Sequence, residues 1–320
     1  MGNDGHYQRH YHTDFGCDLR DIIKTRCLSH ARYNTIERGM MIMKKHAGVL
    51  LLFCAAMIWF AAAMGAAQDV AAKPEEKTLS VDEIVKKANH VSYYQGKDGR
   101  ANVDMAITFG QGGTQSRGMT ILRLNEDEKD EAQKYYVYFD KPADHRNMAF
   151  MVWKHVTKDD DRWLYLPALD LVKRIAASDK RTSFVGSDYL YEDVSGRSLA
   201  EDTHTLESTD DKYYVVKNDP KDPKSVEFSS YKVWIDKATF LPMKAEYLDK
   251  NGKLYRTMAV LETGTFDGFA TAVKSKISNL ATGGNTVMTF SNVKYNAGLP
   301  GDIFTERYLR RAPQKWLKGN

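Results

Sequence analysis

Val103-Asp104-Met105-Ala106-Ile107-Thr108-Phe109 alternates large apolar residues with small or polar ones. A period of two is the repeat of a β-strand with one face buried and the other wet, whereas a helix would repeat every 3.6 residues. Gly112-Gly113 follows as a turn signal. The chain then resumes the β pattern near Met119–Leu124 and again at Tyr135–Phe139, Met148–Trp153 and Arg162–Leu166. Further strands are expected at Tyr213–Lys217, Val226–Ile235, Met243–Leu248, Leu254–Leu261, Val273–Ile277 and Val287–Val293, with Asn251-Gly252 as a two-residue hairpin signal between two of them. Short turns without regular intervening helices predict an antiparallel meander rather than βαβ units.

One helix is expected before the strands. Ser80 and Glu83 have capping-box spacing, and Val81, Ile84, Val85 and Ala88 fall on one helical stripe that must lie against something. Several strands, such as Tyr135–Phe139 and Ala149–Trp153, are apolar on both faces and need cover on both. Pattern alone leaves two arrangements open. One is a strongly curved sheet with a lidded apolar hollow; the other is a sandwich whose two sheets cover each other.

Working outward to the ends, Met40-Met41-Ile42-Met43-Lys44-Lys45 precedes an apolar run from Ala47 to Met64 and then Gly65-Ala66-Ala67-Gln68. A cationic start, an apolar core and small residues before a polar one predict a secretory signal over residues 40–67, cleaved before Gln68. An uncleaved membrane anchor is the alternative reading of the same run. Residues 1–39 lack periodicity and read as a non-globular leader or a mis-called start, and residues 68–78 as a flexible tether. The folded domain is placed at 79–311 and a C-terminal tail at 312–320. Cys17, Cys27 and Cys54 all precede the expected cleavage site, so the exported chain would hold no thiol. Of 46 basic residues 8 precede Gln68, and of 42 acidic ones 5 do, leaving 38 against 37. That balance gives no reason to expect nucleic acid as a partner.

No catalytic constellation emerges. His90, His145, His155 and His204 are scattered without metal-ligand spacing. Asp159-Asp160-Asp161 lacks the glycine and spaced acids of a calcium loop, and Gly186-Ser187-Asp188 lacks the second glycine of a nucleophile elbow. The expectation is a protein that is not an enzyme, with no cofactor and no metal. The stretch Arg162–Arg197 is the densest in charge and aromatics: Lys173, Arg174, Lys180, Arg181, Glu192 and Asp193 interleave with Phe184, Tyr189 and Tyr191. It reads as a loop positioned over a cavity mouth, its shape held by ion pairs, since aromatics at that density bury something.

The run Trp163-Leu164-Tyr165-Leu166-Pro167, then Val172-Lys173-Arg174-Ile175, then Ser183-Phe184 and Gly186-Ser187-Asp188 through Tyr191-Glu192-Asp193, resembles outer-membrane lipoprotein-sorting proteins of the LolA-like superfamily. Val233-Trp234-Ile235-Asp236-Lys237 with Leu241–Tyr247 looks like that family's central hairpin, and Phe304–Leu309 like its C-terminal signature. The resemblance implies a mainly β (α+β) fold: an incomplete antiparallel β-barrel, or strongly curved sheet, with short lid helices, of LolA/LolB type. It further implies a periplasmic carrier of a lipid or of lipoprotein acyl chains in an apolar cavity. The partners implied are those acyl chains, an inner-membrane exporter and an outer-membrane acceptor. An adaptor of an exporter without lipid transfer of its own is the alternative. On apolar periodicity the expected cavity residues are Met105, Ile107, Phe109, Phe139, Phe150, Val152, Trp163 and Tyr165. The expected lid motif is Ser183, Phe184, Gly186, Ser187, Asp188, Tyr191, Glu192 and Asp193.

Overall fold

The computed structural model describes residues 78–318. The expected leader, signal segment, cleavage site and three cysteines lie outside the described residues, as does nearly all of the expected tether. The β pattern resolves into one sheet of thirteen strands, every pairing antiparallel. In chain order they are β1 (Asp98–Thr108), β2 (Thr114–Asn125), β3 (Ala132–Lys141), β4 (Ala149–His155), β5 (Asp161–Leu166), β6 (Leu171–Ile175), β7 (Asp202–Thr209), β8 (Tyr213–Pro220), β9 (Phe228–Asp236), β10 (Pro242–Asp249), β11 (Leu254–Phe266), β12 (Phe269–Asn279) and β13 (Gly284–Tyr295).

The chain enters mid-sheet at β1, steps strand by strand to one edge at β6, crosses to the other edge at β7, and steps back until β13 pairs with β1. Laid flat, thirteen strands would put the edges about 58 Å apart. Yet Lys180, five residues past the end of β6, holds its Nζ 2.8 Å from Glu201, the residue before β7. Five extended residues reach only about 17 Å. The edges therefore lie close together and the sheet is rolled, although β6 and β7 do not pair and the barrel stays unclosed. Of the two arrangements open from pattern, the structure adopts the curved sheet.

Both faces of β2–β5 are buried, which explains their continuous apolar runs. On the outer face Leu122, Tyr136, Met151 and Trp163 pack against Leu299, Ile303, Phe304, Leu309 and Leu317 of the C-terminal segment. That segment carries two short helices, α3 (Glu306–Arg310) and α4 (Gln314–Leu317). Trp153 Nε1 donates to Phe304 O at 2.8 Å and the Tyr136 hydroxyl to Tyr308 O at 2.7 Å. Packing continues past Arg311: Leu317 is buried, and the Arg100 guanidinium donates to Trp316 O and Leu317 O at 3.0 and 2.6 Å. On the inner face Val103, Met119, Val137, Phe139, Phe150 and Val152 form the main core with Phe184 and Tyr191 from the edge-to-edge crossing.

The first helix, α1 (Val81–Asn89), has its capping box: the Ser80 backbone N–H donates to Glu83 Oε2 at 2.8 Å and Glu83 N–H to Ser80 Oγ at 3.3 Å. Its Ile84, Val85 and Ala88 cover Val216 and Ile235 of β8 and β9. Two strands depart from expectation. β6 and β7 are the edges, short or polar, and carry little of the apolar alternation that marks a buried strand. The turn at Asn251-Gly252 also has three residues rather than two. Asp249 N–H donates to Lys253 O, Gly252 takes φ +77° as the third loop residue, and the β10–β11 register shifts further on, between Tyr247 and Leu248.

Candidate functional site

The rolled sheet, α1 and the crossing segment between β6 and β7 enclose a partly open cavity of about 440 Å³, lined mainly by apolar atoms. That volume falls within the roughly 300–1,000 Å³ of small-molecule sites. Its apolar wall includes Met119 and Ile121 of β2, Val137 of β3, Met258 of β11, Ile277 of β12 and Met288 of β13. Strand alternation puts these on the inner face, and the side chains from opposite walls do not meet across the hollow.

The crossing segment, where the lid motif is expected, lies against the cavity. Phe184 lies 5.9 Å from Phe139 and 5.4 Å from Phe150 between ring centroids, and Tyr191 lies 5.2 Å from Phe150. Aromatic pairs of this kind add about 0.5–1.5 kcal/mol each beyond burial. Between them the chain makes a tight loop. Phe184 N–H donates to Tyr189 O at 2.7 Å, Ser183 Oγ to Ser187 O at 2.6 Å and Ser187 Oγ to Phe184 O at 2.7 Å, with Gly186 at φ +81°. Thr286 Oγ1 on β13 donates to Asp188 Oδ2 at 2.7 Å and accepts from Asp188 N–H at 3.0 Å. A short helix, α2 (Tyr191–Ser195), ends at Gly196, where φ is +79° and an added Cβ would sit 2.6 Å from the Tyr93 ring. Glycine is required there for both reasons.

Charge pins the lid to the sheet. Glu192 is 2% exposed and pairs with Arg181 at 2.7 Å, Lys180 at 3.3 Å and Arg197 at 3.4 Å. Burial pushes its carboxyl up, but Arg181, Arg197 and Lys180 outweigh that and hold it below the usual carboxylate range. The same cations are shared outward: Arg181 with Glu227, Arg197 with Asp202 at 2.9 Å, Lys180 with Glu201. Asp193 pairs with Arg256 of β11. Lys154 of β4 is 3% exposed and donates to Ser195 O, the last carbonyl of α2, and, at 3.0 Å, to O of the capping Gly196. Burial lowers its ammonium to about 8.

The expected lid residues thus come together in the crossing segment, and Phe184, Glu192 and Asp193 face the cavity. The expected cavity residues do not line it. Met105, Ile107, Phe139, Phe150 and Val152 lie on the correct face but are sealed in the core beneath Phe184 and Tyr191. Trp163 packs outward, 5.0 Å from Trp153, and Tyr165 joins the same outer cluster. Phe109 falls just past the end of β1 and is 38% exposed. Residues that sequence reasoning passed over take their place, among them Tyr93, Arg123, Tyr135, Arg197, Tyr231 and Arg256. Among the described residues no group of three or more His, Cys, Asp or Glu side chains could hold a metal ion.

A family model described only as an uncharacterized-protein family matches residues 131–311, more than half of the chain. No curated protein matches the sequence. Among solved structures, a DUF1329 family protein from Desulfovibrio piger is 28% identical with a TM-score of 0.66, covering 72% of this chain and 100% of its own. A putative outer membrane lipoprotein-sorting protein domain from Vibrio parahaemolyticus is 29% identical with a TM-score of 0.64, covering 72% and 97%. A LolA superfamily protein from Nitrosomonas europaea, 22% identical with a TM-score of 0.56 over 72% and 100%, shares the fold. The chain belongs to the family so matched, and it shares its fold with the LolA superfamily structure.

Proposed function

We propose that this protein is a periplasmic carrier that shields a lipid, or the acyl chains of a lipoprotein, on the way to the outer membrane. The observation that carries the reading is the apolar cavity of about 440 Å³ under a pinned lid, which the protein's own side chains leave unfilled. An acyl chain gains about 0.8 kcal/mol per buried CH₂, so such a hollow retains a hydrocarbon tail without any covalent step. The likeness to the putative lipoprotein-sorting domain from Vibrio and the signal pattern at residues 40–67 support the same reading. Loading from an inner-membrane exporter and delivery to an outer-membrane acceptor would each require the lid to move. The cluster around Glu192 is where that motion would be controlled.

Purified protein, expressed from the full coding sequence, should carry lipid under native mass spectrometry and take up a fluorescent fatty acid after delipidation. Protein that is always empty and takes up no fatty acid, yet co-purifies with an exporter at fixed stoichiometry, would replace the carrier reading with an adaptor role.

A further inference from the structure

The cavity's polar groups are not a random sample. Its two lining carboxylates, Glu192 and Asp193, are both neutralised by arginine. The two lining side-chain polar atoms that are buried without a partner among the described residues are the Tyr135 hydroxyl and Arg256 Nε, both able to donate. A third group is the Arg123 guanidinium. It is 8% exposed, and no carboxylate among the described residues lies within ion-pair distance of it. It donates instead to neutral acceptors, Asn125 Oδ1 at 2.7 Å and Gln95 O. Asp98 and Asp130 reach it only through their fields; Asp98 lies on the outer face, where its Oδ2 accepts from Gly298 and Leu299 N–H and its Oδ1 is buried without a hydrogen-bond partner.

Arg123 and Tyr135 are one site. They are directly opposite partners in the β2–β3 register and both face inward, which sets their Cβ atoms about 4.5–5.5 Å apart. On the other flank Arg123 faces Gly99, whose missing side chain makes room for the guanidinium: a Cβ there would sit 3.4 Å from Arg123 Nη2. A buried cation with no carboxylate at ion-pair distance, beside a buried hydroxyl without an acceptor, is costly for a protein to maintain unless something completes both. Along the same strand face, Ile121 and Met119 continue the apolar wall away from this pair.

We propose that Arg123 and Tyr135 form a head-group subsite, and that the ligand is an anionic amphiphile whose oxygen anion sits between them while its tail runs over Ile121 and Met119. This deepens the carrier reading and rests on it. The head is a carboxylate or a phosphate, since each offers the acceptor oxygens that a guanidinium and a phenol can share.

The test compares dodecanoate and dodecyl phosphate with neutral dodecanol in calorimetric titrations of delipidated protein, for wild type, Tyr135→Phe and Arg123→Gln. A charge-assisted hydrogen bond corresponds to roughly tenfold or more in affinity. Wild type should bind at least one anion about tenfold or more tighter than dodecanol, and the tighter anion identifies the head. Tyr135→Phe removes an atom with no partner, so it folds normally and should lose several-fold in anion affinity. Arg123→Gln should bring the anions down to the affinity of dodecanol. Should Arg123→Gln fail to fold, Tyr135→Phe still decides. Equal wild-type affinity for anions and dodecanol, or a preference untouched by both variants, overturns the subsite and leaves the carrier standing. Binding of none of the three overturns the carrier reading as well.

Discussion

Glu192→Gln tests whether the lid is held by charge. The substitution keeps size and shape and removes one buried negative charge that three cations approach within 3.4 Å. Removing one partner of a buried ion pair costs about 3–5 kcal/mol when the other is stranded. Here the cations keep partners: Arg181 has Glu227, Arg197 has Asp202 and Glu201, and Lys180 has Glu201. The expected loss is therefore smaller, roughly 2–4 kcal/mol, or a fall in Tm of about 5–12 °C for a domain of this size. Urea denaturation measures it, and hydrogen exchange locates it. The amides of Phe184, Tyr191 and Glu192, bonded within the lid, should exchange faster than those of β2 and β3. The pH dependence supplies the sign. A carboxyl held below its unfolded value of 4.5 contributes stability above that pH and loses it as pH falls through the folded value. The gap between wild type and variant should be full at pH 7 and shrink below about pH 4.5. A gap under about 0.5 kcal/mol at pH 7 with unchanged lid exchange would refute the reasoning.

Lys154→Met addresses the other lid anchor. Because burial lowers the folded ammonium to about 8 from 10.5, the native state holds fewer protons than the unfolded state between those values. Wild-type stability should rise with pH from about 8 to 9.5 relative to the variant, by up to roughly 2 kcal/mol, and parallel curves would contradict this. Phe304→Ala empties a fully buried outer-face position and should cost about 3–5 kcal/mol while leaving fatty-acid affinity unchanged. A large affinity change would mean that the two faces are not independent.

Much of the fold was legible because two-sided burial writes itself into β2–β4 as continuous apolar runs, and Ser80 with Glu83 marks a helix start through local hydrogen bonds alone. Edge strands β6 and β7 were not, since a strand with one neighbour need not be apolar: Leu171–Ile175 reads Leu-Val-Lys-Arg-Ile and Asp202–Thr209 is mostly polar. The crossing segment stood out as a knot of charge and aromatics, because those residues pair mostly with one another. The cavity wall was misread for a physical reason. The strongest apolar periodicity belongs where packing is tightest, as at Phe139 and Phe150, and a hollow is by definition where packing stops. The signal passed over was Arg123 two places beyond Ile121, a cation on the buried parity of an apolar strand. Arg256 on β11 carries the same mark.

The direct test of the carrier account is where a hydrocarbon tail sits. A diazirine-bearing fatty acid, photolysed on the purified protein and mapped residue by residue, should label the inner face: Met119, Ile121, Ile277 and Met288. Labelling confined to outer-face positions such as Leu122, Met151 and Leu309, or no saturable labelling at all, would contradict it.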